Sequence, residues 1–165
     1  MSAHEMSDLE EFAGRREIAT SDEMEALGHR IGTRLRAGDV LVLTGPLGAG
    51  KTTFTRGLAE GLGVRGPVQS PTFVIARTHP SLVGGAPLVH VDAYRLGSAD
   101  ELDDLDIDFV NSVVVIEWGR PMAAAVTDAW WDIELERPVG GDDGLADEDL
   151  DADAPRVVTI ARVEA

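Results

Sequence analysis

The chain has 165 residues, enough for one domain with a sheet buried between helices, and 44% of them are apolar, an ordinary globular proportion. A formal charge of −16 excludes a direct, high-affinity grip on nucleic acid, which needs clustered Lys and Arg against the phosphates. With no cysteine there are no disulfides, no cysteine-held zinc and no thiol catalysis, and no stretch nears the roughly 18 apolar residues of a membrane span.

In chain order, residues 1–14 are acidic and aperiodic and are expected to form a flexible tail. They show no basic region followed by an apolar core, so a cytoplasmic location is expected, with no membrane involvement. Arg16 to Thr20 reads as a short edge strand. A helix should follow with Ser21 as N-cap and acidic residues in its first turn. Its apolar face is Met24, Leu27, Ile31 and Leu35, and it should end near Ala37 and Gly38. The β-branched run over 39–44 predicts a strand, and a helix is predicted over 51–61, with Phe54, Leu58 and Leu62 on one side and Gly61 and Gly63 marking its end. Ser70-Pro71-Thr72 is a rigid entry to strand-like residues 73–77, which a Gly- and Pro-rich loop separates from a strand at 88–92. Such a pair reads as an antiparallel hairpin, so the sheet should be mixed.

Ser98-Ala99-Asp100-Glu101 matches a capping box opening a short helix, whose acidic run to Asp108 reads as a solvated face. Val113 to Ile116 is the most hydrophobic run and predicts a central strand buried on both faces. A short helix over 122–126 and strands over 131–136 and 156–163 complete the chain. Residues 140–155 between the last two hold seven acidic side chains and no periodicity, and are expected to be a disordered loop. The class that results is α/β, in one domain over 1–165.

Between the strand at 39–44 and the following helix lies Gly45-Pro46-Leu47-Gly48-Ala49-Gly50-Lys51-Thr52, which satisfies the phosphate-loop pattern G-x-x-x-x-G-K-[ST] in the strand, loop, helix order it requires. Glycines let main-chain N–H groups turn inward at a helix N-terminus to cradle a di- or triphosphate. Lys51 would reach the β- and γ-phosphates, and the Thr52 hydroxyl would complete a Mg²⁺ shell. Lys51 is also the only lysine among 14 basic side chains. Two acidic residues stand at strand ends where an open α/β sheet places its ligand, Asp92 and Glu117, and either suits a metal or a hydrolytic water. Thr72 offers a hydroxyl resembling a switch threonine. Arg95 reads as an ion-pair partner, with stabilisation of charge on a transferred phosphoryl group as the alternative, Trp118 as packing or a stacking surface, and His90 as structural rather than catalytic.

Together with the loop, Ser70-Pro71-Thr72-Phe73, His90-Val91-Asp92-Ala93-Tyr94-Arg95-Leu96, Glu101-Leu102-Asp103-Asp104-Leu105 and Ile116-Glu117-Trp118 closely resemble the TsaE family over about residues 21–137. The resemblance implies a P-loop NTPase-like three-layer sandwich with about seven strands. It further implies an ATPase needed to make N6-threonylcarbamoyladenosine at position 37 of tRNAs that read codons beginning with A. Such an ATPase is slow alone, works in a complex with TsaB-like and TsaD-like proteins, and meets tRNA only indirectly. By the same resemblance, Leu47, Gly48, Ala49, Gly50, Lys51, Thr52 and Thr53 hold ATP, Thr52 and Glu117 match Mg²⁺ positions, and Thr72, Asp92 and Trp118 match functional positions. Ser21 and Arg156 are candidates to approach the nucleotide. Two alternatives remain at this level, a nucleotide-gated binding module in which hydrolysis is incidental, and a small-molecule P-loop kinase.

Overall fold

Two fully apolar runs, Val40–Leu43 and Val113–Ile116, lie side by side at the middle of a seven-stranded sheet. In the computed structural model, which describes residues 8–46, 50–66, 76–94, 96, 98–137 and 155–164, the chain forms β1 (Gly14–Ile18), α1 (Ser21–Gly32), β2 (Val40–Thr44), α2 (Lys51–Leu62), β3 (Ala76–His79) and β4 (Leu88–Asp92). It continues through α3 (Ala99–Asp103), β5 (Val113–Glu117), α4 (Ala123–Val126), β6 (Ala129–Glu136) and β7 (Arg156–Glu164). Expectations for residues 1–7, Leu47, Gly48, Ala49, Ser70, Pro71, Thr72, Arg95 and 140–154 lie outside the described residues.

Strand order is β1-β7-β6-β2-β5-β4-β3. The inner strands β6, β2, β5 and β4 are parallel, while β3, β7 and β1 join antiparallel, so the sheet is mixed as the 73–92 hairpin predicted. Alternation along each strand sorts the core into two sides. Leu41, Leu43, Val113, Val115, Leu88 and Ile133 pack beneath α1 and α2 against Leu27, Ile31, Phe54 and Leu58. On the opposite side Val40, Val42, Val91, Val114 and Ile116 meet Leu102 of α3 and Ala123 of α4. These are the three layers of the expected α/β sandwich.

Four glycines bring α1 and α2 together. A methyl on Gly28 would overlap the carbonyl oxygen of Phe54, and on Gly32 that of Leu58; reciprocally, Gly57 meets the carbonyl of Glu25 and Gly61 that of His29. Each helix thus spaces two glycines four apart on one face, and the backbones touch with no side chain between them.

Several boundaries differ from expectation. Residues 8–14 are no loose tail: Leu9 and Phe12 are fully buried, and a 3₁₀ turn at Glu10–Phe12 leads directly into β1. The Phe12 ring lies beneath the guanidinium groups of Arg16, Arg30 and Arg34, and Glu11 pairs with Arg34, so the acidic segment is held by arginines from β1, α1 and the turn after α1. The N-cap of α1 is Thr20, in extended conformation, whose side chain accepts the N–H of Glu23 at 3.1 Å. That helix stops at Gly32, and tighter turns (Arg34 N–H to Ile31 O at 2.9 Å) carry Leu35 into the core. Gly61 is inside α2, whose cap is Gly63 at φ 85°. Ser98 caps α3 without a side-chain hydrogen bond.

Candidate functional site

Parallel strands that end level collect the residues following them along one edge. Leu43 and Asp92 both lie opposite Glu117, and Thr44 lies opposite Glu134, so the carboxyl ends of β2, β4, β5 and β6 form that edge. Beyond Thr44 the chain reaches Gly50, whose φ of 101° is left-handed and whose imagined Cβ would lie 3.1 Å from the Met24 methyl of α1. Only glycine satisfies both conditions without strain. The next residue, Lys51, opens α2.

Lys51 folds back over the site. Its ammonium donates to the Gly45 carbonyl at 2.6 Å, lies 3.7 Å from Glu117 Oε1 and stands 4.3 Å from the centroid of the Trp118 ring. Burial is the chief influence on it and pulls its pKa below the ordinary 10.5, opposed by the charges of Glu117 and Asp92. A partly buried cation, with its carboxylate beyond close hydrogen-bond range, leaves its charge incompletely offset.

Glu117 closes β5 and is 5% exposed. Its Oε2 lies 2.5 Å from Nε2 of His90, which has no exposed surface. Asp92 is half-buried, and its Oδ1 accepts the N–H of Tyr94 at 3.0 Å. Tyr94 leans on Trp118 with ring centroids 5.6 Å apart. Trp118 has φ 61°, a left-handed conformation that costs a side-chain-bearing residue about 1–2 kcal/mol. Its N–H bond to Leu43 O, 2.8 Å, fixes the turn, and the indole comes to lie against Lys51. Local strain at such a position is characteristic of functional sites.

Lys51, Asp92, Glu117 and Trp118 are therefore brought together. Thr52 and Thr53 lie half-buried in the first turn of α2. Ser21, exposed at the start of α1, and Arg156, buried at the start of β7 opposite Ile18, belong to the same edge but to its β1–β7 side, away from Glu117. Leu47, Gly48, Ala49 and Thr72 lie outside the described residues. His90, expected to be structural, is buried inside the sheet and bonds Glu117. Its signal was its position two residues before Asp92, on the same face of one strand.

Among the described residues no group of three or more His, Asp or Glu side chains forms a metal cage. The Thr52 hydroxyl and the Glu117 and Asp92 carboxylates are hard oxygen donors, the kind Mg²⁺ takes in ones and twos when substrate phosphates supply the rest. The residues present fit that ion.

Residues 18–141 match the family model described as threonylcarbamoyl adenosine biosynthesis protein TsaE. The chain belongs to the TsaE family. A Streptomyces coelicolor protein named tRNA threonylcarbamoyladenosine biosynthesis protein TsaE is 58% identical over 120 residues, 71% of this chain and 81% of that one. Proteins of the same name from Mycobacterium tuberculosis and Bacillus subtilis are 50% and 39% identical, over 73% and 74% of this TsaE-family chain and 77% and 75% of their own. Among solved structures, the crystal structure of Bacillus subtilis YdiB superposes with a TM-score of 0.65 at 28% identity, covering 99% of this chain and 90% of that one. Among the described residues no helix is long and apolar enough to cross a membrane.

Proposed function

We propose that this TsaE-family chain binds and hydrolyses ATP with Mg²⁺ in the service of tRNA threonylcarbamoyladenosine formation, in a complex with TsaB-like and TsaD-like proteins and slowly without them. The names of its relatives support the pathway. The observation that carries the chemistry is the convergence of Lys51 and Glu117 at the carboxyl edge of the sheet, 3.7 Å apart, directly after a phosphate-loop sequence.

Lys51 exchanges the Gly45 carbonyl for the β- and γ-phosphates, where its charge offsets the anion. Glu117 and Asp92 face this cation from neighbouring strands and orient the attacking water. Held by Thr52 and Glu117, Mg²⁺ would supply charge neutralisation on the phosphates. Water attack at the γ-phosphorus breaks its bond to the bridging oxygen and releases ADP and phosphate. At net charge −16 the chain meets protein partners, and tRNA is held elsewhere in the complex. Partners complete catalysis, because the sequence offers no unambiguous arginine finger.

The test is ATP turnover by the purified chain, alone and with its cognate TsaB and TsaD, with Lys51→Ala as blank. Partners should stimulate turnover on the order of tenfold or more, and the blank should lose it. Fast turnover indifferent to partners would contradict the reading.

A further inference from the structure

Glu117 presents its two carboxylate oxygens to different neighbours. Oε1 faces Lys51 at 3.7 Å, and Oε2 is held at 2.5 Å by Nε2 of His90. Since an ionised carboxylate only accepts, Nε2 carries the hydrogen. The other ring nitrogen, Nδ1, is buried and has no hydrogen-bond partner among the described residues. His90 therefore spends its polar capacity on a single bond. On β4 it alternates with the buried Val89 and Val91, and a plain packing role would be filled better by an apolar side chain, which carries no polar atom to desolvate.

We infer that His90 is a positioning residue for Glu117: it clamps Oε2 from inside the sheet, so that the carboxylate plane is fixed and Oε1 alone is turned toward Lys51 and the phosphate side. Freed of the clamp, the carboxylate rotates and offers both oxygens to the Lys51 ammonium, a closer ion pair that ties up the cation and misdirects Oε1. This rests on the reading of Glu117 as the carboxylate that serves ATP hydrolysis. Because His90 has no exposed surface and bonds only Glu117 among the described residues, its loss acts on the aim of Glu117 rather than on the binding of ATP.

Two amide variants separate reach from polarity. In His90→Gln the amide nitrogen falls where Nε2 was, whereas in His90→Asn it stops near the position of Nδ1. Turnover should be measured with the partners present, and ATP affinity by calorimetry without metal. The inference predicts that His90→Asn keeps ATP affinity within about twofold and loses about 10- to 100-fold in kcat, while His90→Gln recovers most of the loss. Glu117→Gln combined with His90→Asn should be no slower than Glu117→Gln alone. Losses that add, or a His90→Gln no better than His90→Asn, would overturn it.

A spectroscopic measurement on the full-length protein stands apart from activity. Proton NMR should show a downfield, slowly exchanging imidazole proton on Nε2 that moves in Glu117→Gln; a wild-type protein without it would overturn the clamp. Wild-type protein that shows this proton but neither binds nor hydrolyses ATP would instead overturn the ATP reading alone.

Discussion

Lys51 carries the only ammonium side chain in a sequence of net charge −16, and it is held by a carbonyl, a carboxylate and an indole face together. That geometry suits a compact point charge and not a planar, longer guanidinium. Lys51→Arg should therefore lose at least about tenfold in ATP affinity by calorimetry, and a variant that binds as well as wild type would contradict the role given to this ammonium. A second residue-scale prediction concerns His79 at the end of β3, whose Nδ1 lies 2.9 Å from the Arg65 carbonyl while Nε2 is buried without a partner. The carbonyl accepts, so the hydrogen sits on Nδ1. Burial above all, then the nearby His90 and Arg77, lower its pKa below the ordinary 6.5, against the opposing pull of the Arg65 bond. The unfolded chain thus takes up the proton first as pH falls. The stability this provides is complete above about pH 6.5 and is lost as pH drops toward the folded value. Thermal melts of wild type and His79→Gln between pH 7.5 and 5 should show the smaller acid loss in the variant; parallel curves would contradict this.

At the scale of elements, α1 and α2 behave as one block because Gly28, Gly32, Gly57 and Gly61 let the backbones touch. Gly28→Ala or Gly57→Ala must push a main-chain carbonyl aside, which neither helix can do alone. Each should cost roughly 1–3 kcal/mol or more in denaturant melts and should weaken ATP binding too, since the displaced helix bears Lys51. A neutral substitution at both positions would contradict the close approach. Much of the frame was legible in sequence because it is written locally. Val113 to Ile116 could only be a doubly covered strand, and the glycine loop announced its own strand and helix. What depended on distant partners was not legible. Glycine reads as a helix end until the carbonyl facing it is known, which is why Gly61 was misplaced. Leu9 and Phe12 look stranded in an acidic segment until Arg16, Arg30 and Arg34 close over the ring. Thr20 and Ser21 can both cap a helix, and only the extended backbone of Thr20 decides between them. His90 and Glu117 are 27 residues apart, joined only by the pairing of β4 with β5.

The whole molecule sets its chemistry at one edge of the sheet. Parallel pairing of β6, β2, β5 and β4 levels their carboxyl ends, where ligands of open α/β sheets bind, and the rigid α1–α2 layer fixes the lysine from one side. The antiparallel additions β7 and β1 extend that edge to Arg156 and Ser21, on the side away from Glu117. A net charge of −16 weighs against direct contact of this chain with tRNA phosphates. On the proposed function, hydrolysis, and not mere occupancy by ATP, drives the modification. This is tested most directly by quantifying threonylcarbamoyladenosine in tRNA after reaction with the partner proteins, comparing wild type with a Glu117→Gln variant shown by calorimetry to bind ATP normally. Wild type should form product over many cycles and Glu117→Gln little beyond a single cycle; equal yields from the two would mean that ATP occupancy alone suffices.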